Sequence, residues 1–344
     1  MRKDAIVLFP FADYWWFYLA FTALVIVLIL VDLVLFHRKP RNINFREASL
    51  LTLGWMALAG IFNFGFYRYA LWKFSIDPRL QAIPGFDAAK EAKDVALQFL
   101  SGYVVEETLS VDNMFVFVLV FAFFRIPAHL QHRVLFYGIL GAIIFRSIFI
   151  ALGSLLLGYT WVIWLFGGFL IVTGVRMLFA GGDSEPDLKN NKMLALVRRF
   201  IPVTDELHGS NFFITKEDGR RFATPLFLTL ILLEASDIVF AVDSVPAIFA
   251  LTSEPLIVFT SNIFAILGLR AMYFLLAGAV HRFHLLSYGL AIILIFIGLK
   301  MAWLNQLYDG HFPTSLSLGI IAGVLGVSIG LSLAFPKAPD QAAD

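Results

Sequence analysis

Residues 106–113 read EETLSVDN and run straight into MFVFVLVFAFF (114–124), while residues 234–244 read EASDIVFAVDS between equally apolar flanks. What these carboxylates do inside such runs decides how the chain is read. Of its 344 residues 60% are hydrophobic and 15% charged, and the mean hydropathy is +0.82. Soluble domains average about 45–50% apolar and about 25% charged. One aqueous core cannot hold this excess, so the solvent must be lipid. A formal net charge of +1 leaves no basic surface on which to argue for nucleic acid. The absence of cysteine removes disulfides, thiolate metal sites and thiol redox chemistry together. The first apolar run is too long for a signal h-region and lacks a small-residue cleavage site, so it reads as a retained span.

A hydrocarbon core about 30 Å thick needs about 20 apolar residues per helix. The expected fold is all-α, a polytopic membrane protein of about nine spans: 14–36, 47–70, 94–123, 132–156, 160–181, 223–250, 255–280, 284–306 and 313–335. Helices are the economical reading because lipid satisfies no backbone groups. The loops after spans one, three, five and seven, with the C-terminus, carry 15 Lys and Arg, against 7 on the opposite side. That bias predicts the N-terminus outside and the C-terminus in the cytosol. The cytosolic loop 182–222 opens on the turn-rich GGDSEPD. An interfacial helix is expected over 192–201, and two short strands around Asp218-Gly219. The loop reads as a connection or a regulatory segment.

The spans contain a repeat. YGILGAIIFRSIFIALG (137–153) aligns without gaps within SNIFAILGLRAMYFLLAG (261–278), pairing Arg146 with Arg270 at an offset of 124. TGVRMLF (173–179) pairs with IGLKMAW (297–303) at the same offset of 124, Arg176 against Lys300. LSVDN (109–113) matches FAVDS (240–244) at 131, which places Glu106 opposite Asp237. The organisation is therefore an N-terminal two-helix region (1–93), a three-helix repeat (94–181), the loop (182–222), a second three-helix repeat (223–306) and a C-terminal helix and tail (307–344). Three helices per unit is odd, so the units enter the membrane with opposite polarity. Such 3+3 inverted repeats build many secondary transporters, with the site between repeats near the midplane.

An acid near a helix centre costs about 2.5–3.5 kcal/mol on insertion scales. Spans three and six hold Glu106, Glu107, Asp112, Glu234, Asp237 and Asp243. These must face the bundle interior, paired, protonated or bound to a cation. Glu106 and Asn113 share a helix face, as do Asp237 and Ser244, and Glu234 is one turn from Asp237. Asp112 and Asp243 lie six residues from their partners, about 120° round the helix. They reach the same centre only if each helix unwinds, for which Pro246 speaks in span six. The result is an all-oxygen set suited to a hard divalent cation such as Mg²⁺, Ca²⁺ or Mn²⁺. A plainer reading makes Asp112 and Asp243 counter-ions of Arg146 and Arg270, and those two arginines are read as struts or as gating partners. Arg176 and Lys300 are expected to snorkel at span ends, and Asp32 to be an interfacial acid.

GYVVEETLSVDNMFVF, ATPLFLTLILLEASDIVFAVDSVPAIFA and SNIFAILGLRAMYFLLAG resemble the TerC family of bacterial membrane proteins, from about residue 15 to 335. That family is named for tellurite resistance and belongs to the lysine-exporter superfamily. Within it the chain is most similar to the Alx-type members, linked to manganese export and alkaline response. The resemblance implies Mn²⁺ as transported substrate, no organic cofactor, no enzymatic activity and a place in the bacterial inner membrane. It carries metal-site roles onto Glu106, Asp112, Asp237 and Asp243; Glu107 departs from the Lys that related members often have. A membrane scaffold that loads metal or organises a stress response, and a Ca²⁺/H⁺ exchanger, are the rival readings.

Overall fold

Each long apolar run becomes a helix because only internal hydrogen bonds can satisfy its backbone in lipid. The computed structural model describes residues 7–36, 45–156, 159–180, 199, 201–204, 206–216, 219–277, 285–308 and 312–335, excepting the side chains at 33–36, 112, 115, 160, 180 and 243. The order is α1 (Phe11–Phe36), α2 (Phe45–Ile76), a short α3 (Pro78–Gln81), α4 (Ala88–Phe123), α5 (Ala128–Leu156) and α6 (Thr160–Ala180). A hairpin of β1 (Phe213–Thr215) and β2 (Arg221–Ala223) follows, then α7 (Pro225–Leu251), α8 (Pro255–Ala277), α9 (Leu286–Leu307) and α10 (Thr314–Ala334). Eight of these are long and apolar enough to cross a membrane. The remaining long helix, α4, has 36 residues and carries Glu106, Glu107 and Asp112 along its apolar stretch. The fold is thus an all-α polytopic membrane bundle.

Burial sorts the helices into a centre and a rim. The apolar stretch of α8 is 94% buried inside the protein, against 17% for α1 and α2. Around α8 pack α2, α4 and α5, with α1 touching it more lightly. α4 also packs on α7, and α5 on α7. α6 lies along α9, where two glycines permit close approach: a Cβ at Gly298 would stand 2.7 Å from the Gly167 carbonyl, and one at Gly174 2.7 Å from that of Ala291. The expected short strands form with Gly219 at φ +77 in their turn, a left-handed conformation that suits glycine.

Three expectations need correction. α4 and α7 run as unbroken α-helix past Asp112 and past Asp243 and Pro246. Proline's fixed φ is itself helical, and losing one donor is tolerated where neighbouring helices pack on both sides. Lys300 does not snorkel: it is 2% exposed, at the start of a π-helical segment (Lys300–Leu304) within α9 that packs against α6. Asp32 is no simple interfacial acid, because it ion-pairs with Arg270 of α8. Of the interfacial helix expected over 192–201, all but positions 199 and 201 lie outside the described residues.

Candidate functional site

α4 starts at Asp87, whose carboxylate caps it by accepting from the N–H groups of Ala89 and Lys90. That start puts Glu106 in the helix middle, with 18 residues of α4 before it and 17 after. α7 starts at Pro225, which leaves Asp237 with 12 residues of helix before it and 14 after. Both acids turn toward Arg146 of α5, the largest fully buried side chain.

Arg146 bridges them. Its Nη1 pairs with Glu106 Oε1. Its Nη2 donates to Asp237 Oδ1 at 2.9 Å and its Nε to Oδ2 at 3.4 Å, a forked contact that the planar guanidinium is shaped to make. Asn262 of α8 completes the ring: its Nδ2 donates to Glu106 Oε2 at 3.1 Å, and its Oδ1 accepts from Arg146 Nη1 at 3.5 Å. Ser244 Oγ accepts from the same Nη1 at 3.5 Å. Four helices contribute, and all five residues are buried.

Beside this network stand oxygens without hydrogen-bond partners among the described residues. Ser110 Oγ, Asn113 Oδ1 and Glu234 Oε2 are buried and unsatisfied. Ser110 and Asn113 follow Glu106 by four and seven residues, one face of α4. Glu234 precedes Asp237 by one turn, and its carboxylate lies against Gly141 of α5, where any Cβ would collide with it. Buried polar atoms in native proteins are almost always satisfied, so a cluster of exceptions points to a ligand or to a second arrangement. The donors are carboxylate, hydroxyl and amide oxygens, the set that hard cations take. Among the described residues no group of three acid or histidine side chains converges as a finished metal cage. In this arrangement the guanidinium fills the space between the two acids.

Arg270 does not join the ring. It pairs with Asp32 of α1, and it also lines a cavity of about 20 Å³ whose wall includes Asp237, Phe117, Leu269 and Ala142. Glu107, next to Glu106, faces elsewhere: Tyr103 donates its hydroxyl to Glu107 Oε1 at 2.6 Å, and the carboxyl rests against Gly268.

Of the residues expected from sequence, the structure brings Glu106, Asp237, Ser244 and Arg146 together, with Asn113 and Glu234 beside them. The side chains of Asp112 and Asp243 lie outside the described residues, so the described counter-ions of Arg146 are Glu106 and Asp237. Ser110, Asn262 and Asp32 were not anticipated. For Ser110 the signal was its four-residue spacing from Glu106; for Asn262, a lone amide within an apolar helix.

Residues 91–339 match the model of the integral membrane protein TerC family. The chain belongs to that family. It is 47% identical over 326 residues to an uncharacterized membrane protein, STKORF319, of Myxococcus xanthus, covering 94% of each chain. It is 44% identical over 307 residues to the "Putative membrane-bound redox modulator Alx" of Escherichia coli (strain K12), covering 89% of this chain and 90% of that one. An uncharacterized membrane protein of Rickettsia bellii is 38% identical over 319 residues, 91% of this chain and 98% of that one. No solved structure matches.

Proposed function

We propose that this TerC-family protein exports a hard divalent cation, Mn²⁺ foremost, from the cytosol across the bacterial inner membrane, with its N-terminus outside and its C-terminus in the cytosol. The observation that carries the reading is the Arg146 bridge between Glu106 and Asp237, buried in mid-helix and flanked by unsatisfied oxygens. An internal cation between two acids occupies a place that a transported cation can take. When a dication enters, Arg146 withdraws, and Glu106, Asp237 and Glu234 supply charge while Ser110, Asn113 and Ser244 supply neutral oxygens. When the ion leaves, Arg146 returns and the emptied carrier holds no bare carboxylates. Asp112 and Asp243 join this reading as ligands on the strength of the family resemblance. Protonation of one or two carboxylates on release would couple export to a proton gradient. No bond is made or broken in this cycle, so the protein is read as a carrier rather than an enzyme.

The packing supports an inverted repeat of units 94–181 and 223–306. Under the 124-residue offset Gly167 corresponds to Ala291 and Gly174 to Gly298, so the contacts Gly167–Gly298 and Gly174–Ala291 exchange into one another. The packing of α4 on α8 exchanges likewise into that of α5 on α7. Two-fold contacts of this kind suit alternating access. As for the relatives' printed name, a thiol-based redox role is closed to this chain because it has no cysteine.

The test is Mn²⁺ flux in proteoliposomes, with and without a pH gradient, together with cellular manganese at matched protein levels. Glu106→Gln and Asp237→Asn should each abolish export while the protein still accumulates, since Arg146 keeps one acid. Normal export by both variants refutes the reading.

A further inference from the structure

The cavity of about 20 Å³ beside Asp237 lies on one side of the ring formed by Glu106, Arg146, Asp237 and Asn262. Its wall takes Phe117 from α4, 11 residues after Glu106, and Leu135 and Ile139 from α5, 11 and 7 residues before Arg146. From α7 it takes Leu233, four residues before Asp237, and from α8 Leu269, seven residues after Asn262. α5 and α7 run parallel, since Gly141 meets Glu234, Arg146 meets Asp237 and Gly153 meets Phe249. α4 and α8 run parallel as well, with Gly102 against Ser261 and Glu106 against Asn262. A short turn (124–127) reverses the chain between α4 and α5. Positions after the ring in α4 and α8, and before it in α5 and α7, therefore lie at one end of the bundle, where β1 and β2 lead into α7.

The two sides of the ring differ. On the hairpin side Asp237 opens on a space about the size of one water, walled mainly by apolar side chains. Glu234, one turn before Asp237, adds a half-buried carboxylate with an unsatisfied oxygen on this same side. Arg270 also borders the space, and its ion pair with Asp32 balances its charge. On the other side small residues let the helices close up: a Cβ at Gly102 would stand 2.8 Å from Ser261 Oγ, and one at Gly153 2.8 Å from the Phe249 ring. We infer that Phe117, Leu233 and their apolar neighbours around the cavity form a gate through which a cation reaches Asp237 from the hairpin end of the bundle. This rests on the reading of the Glu106–Asp237 region as a cation site, and in the orientation proposed above the hairpin end is the cytosolic one. A narrow apolar passage expels water, so a hydrated ion does not cross it until the side chains part. An ion that passes meets Glu234 and then Asp237.

The chain has no cysteine, so a single introduced thiol reports alone. Ala142→Cys places one in the cavity wall and Ser261→Cys one on the opposite side of the ring, while the exposed Lys216→Cys marks the hairpin face of membrane vesicles. The probe is a permanently cationic methanethiosulfonate, applied to the full-length protein from either face. Truncating a packed Phe or Leu removes enough contact to shift an opening equilibrium by about tenfold or more. Phe117→Ala and Leu233→Ala should each speed labelling of Ala142→Cys from the hairpin face by about that factor, and leave Ser261→Cys unchanged. Phe117→Leu, a smaller truncation, should act in the same direction and covers the case in which the alanine variants fail to fold. A merely structural contact lowers the melting temperature without favouring one face. Unchanged labelling of Ala142→Cys, or equal acceleration from both faces, overturns the proposal. The readout needs no metal, which separates it from the transport reading. Mn²⁺ that slows labelling of Ala142→Cys supports both, whereas face-specific gating that Mn²⁺ leaves unaffected overturns only the identity of the ion.

Discussion

Replacing Arg146 with Met tests whether the guanidinium holds a cation's place. Met keeps much of the length and fits an apolar core, but it offers no donor. Asp237 then loses both contacts of its fork, at 2.9 and 3.4 Å, and among the described residues Glu106 keeps only the Asn262 amide at 3.1 Å. Two carboxylates with almost no exposure are left without their cation. Removing one partner of a buried charge network costs about 3–5 kcal/mol, and here both acids depend on the same group, which places the loss at the upper end. A dication that binds between them should return part of that loss. At a concentration a hundred times its Kd, a ligand that binds only the folded state stabilises it by about 2.7 kcal/mol. In wild type the ion must first displace Arg146, so the same Mn²⁺ should stabilise it less. The assay is thermal unfolding in detergent, followed by loss of the monodisperse peak, with a chelator and then with Mn²⁺. Arg146→Met should melt well below wild type in chelator and recover strongly with Mn²⁺, while exposed Arg176→Gln should change neither value. Equal melting of Arg146→Met and wild type in chelator refutes the reasoning. So does an equal Mn²⁺ shift in both.

Gly141→Ala should impair export severely, because its Cβ collides with the Glu234 carboxylate, while Gly138→Ala, with nothing within 4 Å of its Cβ, should export normally; proteoliposome flux of the pair decides it. Gly298→Ala should cost about 1–3 kcal/mol by forcing α6 from α9, whereas Gly168→Ala, in open space, should be silent in the same melting assay. Glu254, outside the spans, accepts from the N–H groups of Leu8 at 2.8 Å and Phe9 at 3.3 Å, and burial holds its carboxyl above the ordinary glutamate value despite those bonds. A raised folded value means its contribution is fully present below the unfolded value and is lost as pH rises. Relative to Glu254→Gln, wild type should therefore lose stability from about pH 4.5 upward; a difference that grows with pH instead would refute the assignment.

How far the sequence could be read depended on whether local pattern or long-range partner choice decided each feature. Span positions follow from apolar length, and the ends of α4 and α7 lie within a few residues of expectation apart from the six-residue extension of α4 to Ala88. That extension depends on Asp87 as a cap, which is amphipathic surface chemistry rather than hydropathy. The acid pair Glu106 and Asp237 was legible because the repeat set one opposite the other and insertion energetics forbade a lipid face. Helix unwinding was not legible: the six-residue spacing suggested it, but whether a helix breaks is decided by its neighbours, and α4 and α5 pack against α7. Partner choice was the least accessible. Arg146 and Arg270 are equivalent by sequence, yet one faces two carboxylates and the other reaches Asp32, on a helix that belongs to neither repeat. Lys300 was misjudged for a related reason, since proximity to a span end says nothing of a π-turn that packs it against α6.

That inequality between two repeat-related arginines bears on mechanism. A symmetric pair of units would present the same charge to both sides of the membrane and would have no preferred resting state. Here Arg146 sits between Glu106 and Asp237, whereas Arg270 pairs with Asp32 of α1. Buried ion pairs are a poor way to gain stability, because desolvation consumes most of what the attraction returns, and an apolar replacement of similar volume often does as well. Two buried ion-paired groups, Glu106–Arg146–Asp237 and Asp32–Arg270, are therefore hard to explain as packing. On the transport reading they are a set of charges that can exchange partners, a cation entering beside Asp237 taking the place of Arg146. Each helix can stay continuous while the exchange proceeds, because side chains rather than backbone change partners. On the transport reading proposed above, the unbroken α4 and α7 are no obstacle, and the step that selects the ion would be the trade of a guanidinium for a metal at Glu106 and Asp237.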